Sequence, residues 1–294
     1  MNTDSFFEIG STHEICQDYA ISGKINENIS YAIVSDGCSQ SQKNCSQVDL
    51  GARVLSYAAK EAITDIYGQL SQITTTEEDK EDFSAINTII RNKISDTMVV
   101  IGKFLKLSKL YGDCTLLIAV SDGYTTNVFI YGDGGAAVTF DDGSIIFKNV
   151  IFESGAPYYL SYGLDQERNA AYKIQFGAPE AHVDTHLFDF EGEYIKNEGQ
   201  VCEANETIYD NASFSVKGAQ TISVFSDGIG SFEQSSEDKG IVNQSHLDII
   251  KEYVGFKNRK GEFVQRRMKR MLQNQKALNI THYDDISIAT INLA

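Results

Sequence analysis

Two long stretches of the chain carry apolar residues at every third or fourth position, about 46–67 and about 83–107. This spacing puts the apolar side chains on one face of an α-helix. The polar, acidic stretch 71–82 between them is typical of a loop, so we predict a helical hairpin lying on a sheet. The apolar positions are Val48, Ala52, Leu55, Ala59, Ala62 and Ile66 in the first helix, and Ile86, Ile89, Ile90, Ile94, Met98, Ile101 and Leu105 in the second.

Most of the remaining chain consists of shorter apolar or alternating runs, which predict β-strands. One more helical region is expected at about 246–278. This order of elements predicts an α+β fold rather than a doubly wound parallel sheet. No Gly/Ser-rich linker divides the 294 residues, so we expect a single domain over 1–294. The predicted strands are 19–24, 31–35, 114–120, 126–131, 136–140, 144–148, 171–176, 183–190, 221–226 and 286–292.

The charge balance excludes some partners. The chain has 25 Lys and Arg residues against 41 Asp and Glu residues, which gives a formal net charge of −16. A surface this acidic repels nucleic acid and anionic membranes, so neither is an expected partner. A site that handles phosphate must nevertheless be locally positive, and a bound cation would supply that charge.

The five cysteines form no C-x-x-C pair, so neither a zinc site nor a disulfide framework is predicted. The first residues carry acids and lack the basic and apolar regions of a signal peptide. No stretch approaches the roughly 20 apolar residues that span a bilayer. We therefore expect a cytoplasmic protein.

Two apolar strands end in the same way, YAIVSDG at 31–37 and ISVFSDG at 222–228. Each delivers an aspartate, Asp36 or Asp227, where a buried strand emerges, followed by a glycine that allows a tight turn. Asp284 stands at the entrance of the closing apolar strand, and Asp133 lies between glycines in YGDGG. These four carboxylates are the candidate functional residues.

A structural explanation competes with the functional one, because Asp-Gly is a common hairpin turn. The third SDG of the chain, in LLIAVSDGYTTNVFIY, has alternating apolar strands on both sides, so we interpret Asp122 as a turn residue without chemistry. Asp36 and Asp227 are not followed by a paired strand. Clustered carboxylates repel one another unless they share a cation, and Mg²⁺ and Mn²⁺ prefer oxygen ligands. The pattern predicts a metal-dependent phosphatase.

At these residues the chain resembles the PPM family, the metal-dependent serine/threonine protein phosphatases of type 2C, and in particular its short, divergent bacterial branch. The resemblance implies a four-layer α-β-β-α sandwich, in which two central antiparallel sheets are flanked by helix pairs. It also implies a dinuclear Mn²⁺ or Mg²⁺ site. The motifs, in family order, are CQDYA (16–20), VSDG (34–37), GDCTLLIAV (112–120), YGDGG (131–135), FSDGIGSFE (225–233) and DDISIA (284–289).

The resemblance also implies ligand roles. Asp36 would bridge both metals, and the carbonyl of Gly37 would bind one of them. Asp227 and Asp284 would complete the coordination of the other metal. Asp133 matches the aspartate that helps hold a third, loosely bound metal in bacterial members.

Four further residues match catalytic helpers of the family or depart from them. Asp18 matches an acidic residue that orders metal waters, and it is preceded by Gln17 where the family usually has Glu. Cys38 replaces a His that is the proposed general acid for the leaving alcohol. His13 stands where the family has a phosphate-binding Arg, and a surface histidine without function is an equal alternative.

The predicted activity is hydrolysis of phosphoserine and phosphothreonine on proteins by a metal-activated water. The expected partners are a phosphoprotein substrate and, where the system has one, a cognate kinase. A catalytically impaired pseudophosphatase that binds phosphoproteins is the first alternative, motivated by Gln17 and Cys38. A metallohydrolase for nucleotides or other small phosphates is the second. By the same resemblance, segment 155–160 would lie beside the active site.

Overall fold

The computed structural model describes residues 1–38, 48–73, 80–189, 191, 193–203, 212–236 and 240–293. Over these ranges the chain is α+β, as predicted. Its helices are α1 (Val48–Tyr67), α2 (Lys80–Leu105), α3 (Gln166–Phe176), α4 (His246–Val254) and α5 (Phe263–Ala277). None of the helices described is long and apolar enough to cross a membrane.

All strand pairs in the described ranges are antiparallel. The strands are β1 (Asn2–Glu8), β2 (Tyr19–Lys24), β3 (Ser30–Ser35), β4 (Leu116–Ser121), β5 (Thr125–Tyr131), β6 (Gly134–Thr139), β7 (Ile145–Phe152), β8 (Glu180–Phe188), β9 (Tyr194–Glu203), β10 (Phe214–Lys217), β11 (Thr221–Phe225), β12 (Phe232–Ser236), β13 (Gly240–Asn243), β14 (Ile280–His282) and β15 (Ile286–Asn292).

The strands form a seven-stranded sheet, a five-stranded sheet and a small three-stranded sheet. Their orders are β1-β15-β11-β6-β7-β8-β9, β10-β5-β4-β3-β2 and β13-β12-β14. Strands β15 and β11 contact β3 across the two larger sheets, α1 packs on β3, and α5 packs on β1. The predicted four-layer order with helix pairs on both outer faces stays a prediction.

The apolar core has two parts. One lies around the facing surfaces of the two larger sheets and helix α1, where Ile33, Leu55 and Ile118 are fully buried. The other lies under α4 and α5 and contains Phe147 and Phe225. Strands β3, β4 and β11 are buried over their whole length, which explains why they read as continuous apolar runs.

Two predictions of local structure are wrong. Residues 171–176 belong to helix α3 and not to a strand, because the Asp165 carboxylate caps the backbone N–H groups of Glu167 and Arg168 and starts a helix. The region 246–278 forms two helices, α4 and α5, with Gly255 and Gly261 between them. Residues 46–47 and 74–79, where we placed one helix start and part of the loop, lie outside the described ranges.

Candidate active site

Asp36 extends from the end of β3 and is fixed through its backbone. Its N–H donates to Oγ1 of Thr115 at 3.3 Å, and its carbonyl accepts from the N–H of Thr115 at 2.8 Å. Gly37 forms a single β-bridge with Cys114, and the Cys38 N–H donates to the carbonyl of Asp113. The two motifs VSDG and GDCT therefore hold each other in place, and the Asp36 side chain is half-buried.

The other three carboxylates also follow or precede core strands. Asp227 opens a short 3₁₀-helix after β11, and Asp284 lies just before β15. A Cβ on Gly228 would stand 1.9 Å from the carbonyl oxygen of Asp285, so only glycine lets these two segments approach so closely. Asp133 lies in the turn between β5 and β6, where Gly134 has φ +117.

The structure brings most of the predicted site residues to one cavity of about 550 Å³. The lining residues from the sequence prediction are His13, Asp36, Gly37, Cys38, Asp133, Asp227 and Asp284, with Gln17 beside them. Asp122 is absent from this lining. Its Oδ1 accepts from the backbone N–H groups of Tyr124 and Thr125 at 2.9 and 2.7 Å, as a hairpin turn residue does.

Asp18 lies behind the cavity and is 2% exposed. Its Oδ2 accepts hydrogen bonds from the hydroxyls of Ser226 and Ser287, both at 2.6 Å. Burial raises the pKa of Asp18 to about 7, and these hydrogen bonds oppose the shift. Asp18 also hydrogen-bonds with Asp36, and this contact raises the pKa of Asp36 while it lowers that of Asp18.

The carboxylates raise one another's pKa values. The pKa of Asp36 is raised by burial and then by the charges of Asp18, Asp227 and Asp133. Burial and Asp227 likewise raise the pKa values of Asp133 and Asp284. Four carboxylates in one cavity therefore disfavour their common ionisation unless positive charge is added.

Asp285 was not singled out by the sequence prediction, and it is buried at 2% exposure. Its two oxygens accept from the N–H groups of Gly10 and Gln17 at 2.7 and 2.5 Å. His13 Nδ1 lies 3.0 Å from Asp285 Oδ1 without hydrogen-bond geometry, and His13 Nε2 lies 3.6 Å from Asp284. Asp285 thus fastens the loop that brings His13 and Gln17 to the cavity.

The donor chemistry of this cavity fits a hard divalent cation. Its carboxylates repel one another, and the buried Oε1 of Gln17 and Oδ1 of Asp18 meet no hydrogen-bond donor in the described residues. Among those residues, however, no three His, Cys, Asp or Glu side chains form a group that could hold a metal as they stand. The oxygen atoms of these residues are the kind of ligand that a hard divalent cation prefers. In the described residues, however, they are not arranged as a complete set of ligands.

Aromatic residues of segment 155–176 form part of the cavity wall. Tyr159, Tyr162, Tyr172 and Phe176 line it, and neighbouring rings lie 5.0–5.7 Å apart. Burial raises the pKa of Tyr159, whose hydroxyl hydrogen-bonds with Cys38. Gly155, Ala156 and Pro157 also line the cavity, so the segment that we expected beside the site does lie there.

Arg168 is a further cavity residue that the sequence analysis missed. Its Nη2 lies 2.6 Å from both carboxylate oxygens of Asp113, and its guanidinium stacks 4.9 Å from the ring centre of Tyr162. Ser161 adds a hydrogen bond to Asp113 at 2.8 Å. The GDCT motif is thereby tied to α3. Apart from His13, Arg168 is the only basic residue that lines the cavity in the described part of the chain.

The chain was compared with known proteins. No protein-family model and no curated protein matches it. Solved structures do match. A bacterial serine phosphatase aligns at TM-score 0.50 and 10% identity over 100% of this chain and 98% of that one. A variant of a bacterial serine phosphatase aligns at TM-score 0.51 and 10% identity, over 100% of this chain and 99% of that one.

The serine-threonine phosphatase 2C of Toxoplasma gondii aligns at TM-score 0.50 and 10% identity, over 99% of this chain and 94% of that one. Identities this low establish a shared fold and leave the chemistry to the residues of each chain. The fold is therefore that of the type 2C serine/threonine phosphatases, as the sequence motifs led us to expect.

Proposed function

We propose that this chain, which has the fold of the type 2C phosphatases, is a divalent-cation-dependent phosphatase that hydrolyses phosphoserine and phosphothreonine on proteins. The observation that carries the proposal is the convergence of Asp36, Asp133, Asp227 and Asp284 from four separate chain segments on one cavity. We further propose that residues 1–294 form one phosphatase domain.

Asp36, Asp227, Asp284 and the carbonyl of Gly37 would hold two Mn²⁺ or Mg²⁺ ions, and Asp133 would contribute to a third. When bound, these ions would activate a water and neutralise charge on the phosphoryl group. The chain itself supplies the scaffold. Asp18, whose Oδ2 accepts from two serine hydroxyls, would orient Asp36 and a metal-bound water. His13 lines the cavity and can donate to a phosphate oxygen.

Cys38 and Tyr159 line the cavity and would provide the proton that a leaving alcohol needs. The Cys38 backbone is fixed by Asp113, and its thiol meets the Tyr159 hydroxyl. Because burial and nearby carboxylates raise the pKa of Tyr159, its hydroxyl keeps its proton at neutral pH and can donate it in a hydrogen bond. We assign these two residues to the leaving-group side of the cavity.

The first test compares Asp36→Asn with Asp122→Asn by the release of phosphate from a phosphoserine peptide in the presence of Mn²⁺. Asp36→Asn should lose at least about 100-fold in kcat, because one charged oxygen is removed at the centre of the site. Asp122→Asn should stay near wild type in kcat, since Asp122 holds a turn and the backbone N–H of Ile73 and does not line the cavity. Full activity in Asp36→Asn would contradict the site assignment.

A second candidate function follows from Gln17 and Cys38. Gln17 offers a neutral amide oxygen that is buried without a donor, which is a weaker ligand than a carboxylate for a hard cation. The chain would then bind phosphoproteins without hydrolysing them. Calorimetry with Mn²⁺ separates the two functions, because tight binding together with turnover is incompatible with a pseudophosphatase.

A further inference from the structure

A second cavity, of about 640 Å³, lies on the other side of Arg168 from the candidate active site. We call it the α2–α3 groove. Its walls are the last two turns of α2, the 3₁₀-helix Lys109–Gly112, and the segment that leads into α3. Arg168 lines both cavities, so the groove and the candidate active site meet at one side chain.

Tight packing fixes the shape of this groove. The Tyr111 hydroxyl donates to the carbonyl oxygen of Met98 at 2.5 Å. A Cβ on Gly102 would stand 2.9 Å from the Tyr111 ring, and a Cβ on Gly112 would stand 2.5 Å from Met98. The Tyr111 ring leaves no room for a side chain at position 102, so α2 and the segment 108–112 pack closely and the groove exists before any ligand arrives.

The groove differs in charge from the rest of the molecule. Three basic residues, Lys103, Lys106 and Arg168, line it against one acid, Asp165, in a chain of net charge −16. Lys103 and Lys106 are exposed, and neither meets a carboxylate at ion-pair distance in the part of the chain that is described. Their charges are therefore available to an acidic ligand.

Apolar side chains accompany these charges. Met98 and Leu107 lie along the groove, and Leu164 at its edge is 42% exposed. On the same end of α2, Phe104 is 84% exposed. A ligand that fits must combine acidic groups with at least one apolar side chain, which a peptide does and inorganic phosphate does not.

We propose that the α2–α3 groove docks an acidic stretch with an apolar side chain in a protein substrate whose phosphorylated residue lies in the adjoining candidate active site. The charge complementarity selects the acidic stretch. Arg168 lines both cavities, so they adjoin at one side chain, and an extended peptide that passes over it can reach both. The proposal rests on the proposed function for the identity of the ligand as a substrate, and the experiments below separate the two.

Binding is tested with a fluorescein-labelled, unphosphorylated peptide that carries four glutamates around a central Leu-Phe pair, by fluorescence anisotropy. The variant Lys103→Glu/Lys106→Glu should bind it at least about tenfold more weakly than wild type. The matched control Lys269→Glu/Lys276→Glu makes the same change in net charge on exposed residues of α5 and should differ from wild type by less than about twofold. If both variants bind the peptide equally weakly, or if neither binds it more weakly than wild type, the docking proposal is overturned.

Turnover is tested with two phosphoserine peptides, one with the same acidic stretch and one with glutamine in place of each glutamate. Wild type should prefer the acidic peptide in kcat/KM by about tenfold, and this ratio should approach one in Lys103→Glu/Lys106→Glu. A ratio near one in wild type would overturn the docking proposal. If neither peptide nor para-nitrophenyl phosphate is hydrolysed by wild type, the proposed function fails, while the anisotropy result still decides whether the groove binds.

Discussion

Asp284 and Asp285 are neighbours in the chain and face opposite ways. Asp284 lines the cavity, while Asp285 is buried and holds Gly10 and Gln17 by their backbone N–H groups. The sequence places two carboxylates at the entrance of an apolar strand. From the sequence we chose Asp284 for the site but gave Asp285 no role, because what Asp285 holds depends on where the loop with Gln17 passes.

This difference predicts that two similar substitutions have unequal effects on stability. Asp285→Asn replaces one acceptor oxygen with an amino group and leaves a buried N–H without its partner, so unfolding free energy should fall by about 1–3 kcal/mol. Asp284→Asn should change it by less than about 0.5 kcal/mol, because it removes a half-buried charge that burial and Asp227 already disfavour.

Urea unfolding of the metal-free protein measures both changes. Calorimetry with Mn²⁺ should in turn show weakened binding in Asp284→Asn. Equal loss of stability in the two variants would contradict the division of roles.

At the scale of elements, the sequence predicted the two long helices and most strands, because their periodicity reflects burial on one face. Helix α3 was predicted wrongly. The run AAYKIQF contains residues that suit a strand, yet the preceding Asp165 caps the first turn and Gly177, with φ +83, ends the helix. The cap at Asp165 therefore outweighs the strand propensity of the run. As a result, α3 brings Tyr172 and Phe176 to the cavity.

Removal of the side-chain cap of α3 should affect enzyme kinetics, and removal of the cap of α4 is the matched control. Asp165→Ala and Ser245→Ala each remove the side-chain cap of a helix and should each cost about 1 kcal/mol of stability. Only Asp165→Ala should raise KM for a phosphoserine peptide without acidic residues, because Tyr172 and Phe176 of α3 line the cavity. Thermal unfolding and steady-state kinetics measure both quantities, and a KM change shared by the two variants would contradict this assignment.

At the scale of the whole molecule, the cavity adds a local cluster of carboxylates to a chain that is already acidic. Burial and mutual repulsion raise the pKa of Asp18 to about 7 and raise the pKa values of Asp36, Asp133 and Asp284. Unfolded aspartates titrate near 3.9, so between that pH and the raised values the folded state binds more protons. Stability from these groups is thus present at low pH and is lost as pH rises through their folded pKa values.

We therefore predict that, without metal, wild type loses more stability than Asp36→Asn when the pH is raised from about 5.5 to 7.5. Saturating Mn²⁺ should raise the wild-type melting temperature more at the higher pH, since a cation replaces the missing protons. Differential scanning fluorimetry in chelator and in Mn²⁺ measures this. His186 and His246, whose pKa values are lowered by burial, act in the opposite direction, so the comparison uses the difference between the two proteins. Identical profiles in both would contradict the prediction.

The sequence by itself determined the α+β class, the long helices and the aspartates at strand ends, because burial periodicity and a carboxylate beside a glycine are local properties. It also separated Asp36 from Asp122, since the segments that follow them differ. Only the tertiary structure decided that Asp285 is an anchor, that Arg168 joins α3 to Asp113, and that aromatic rings line the same cavity as the carboxylates. Those relations depend on packing between segments far apart in the chain, and no local pattern encodes which segments meet.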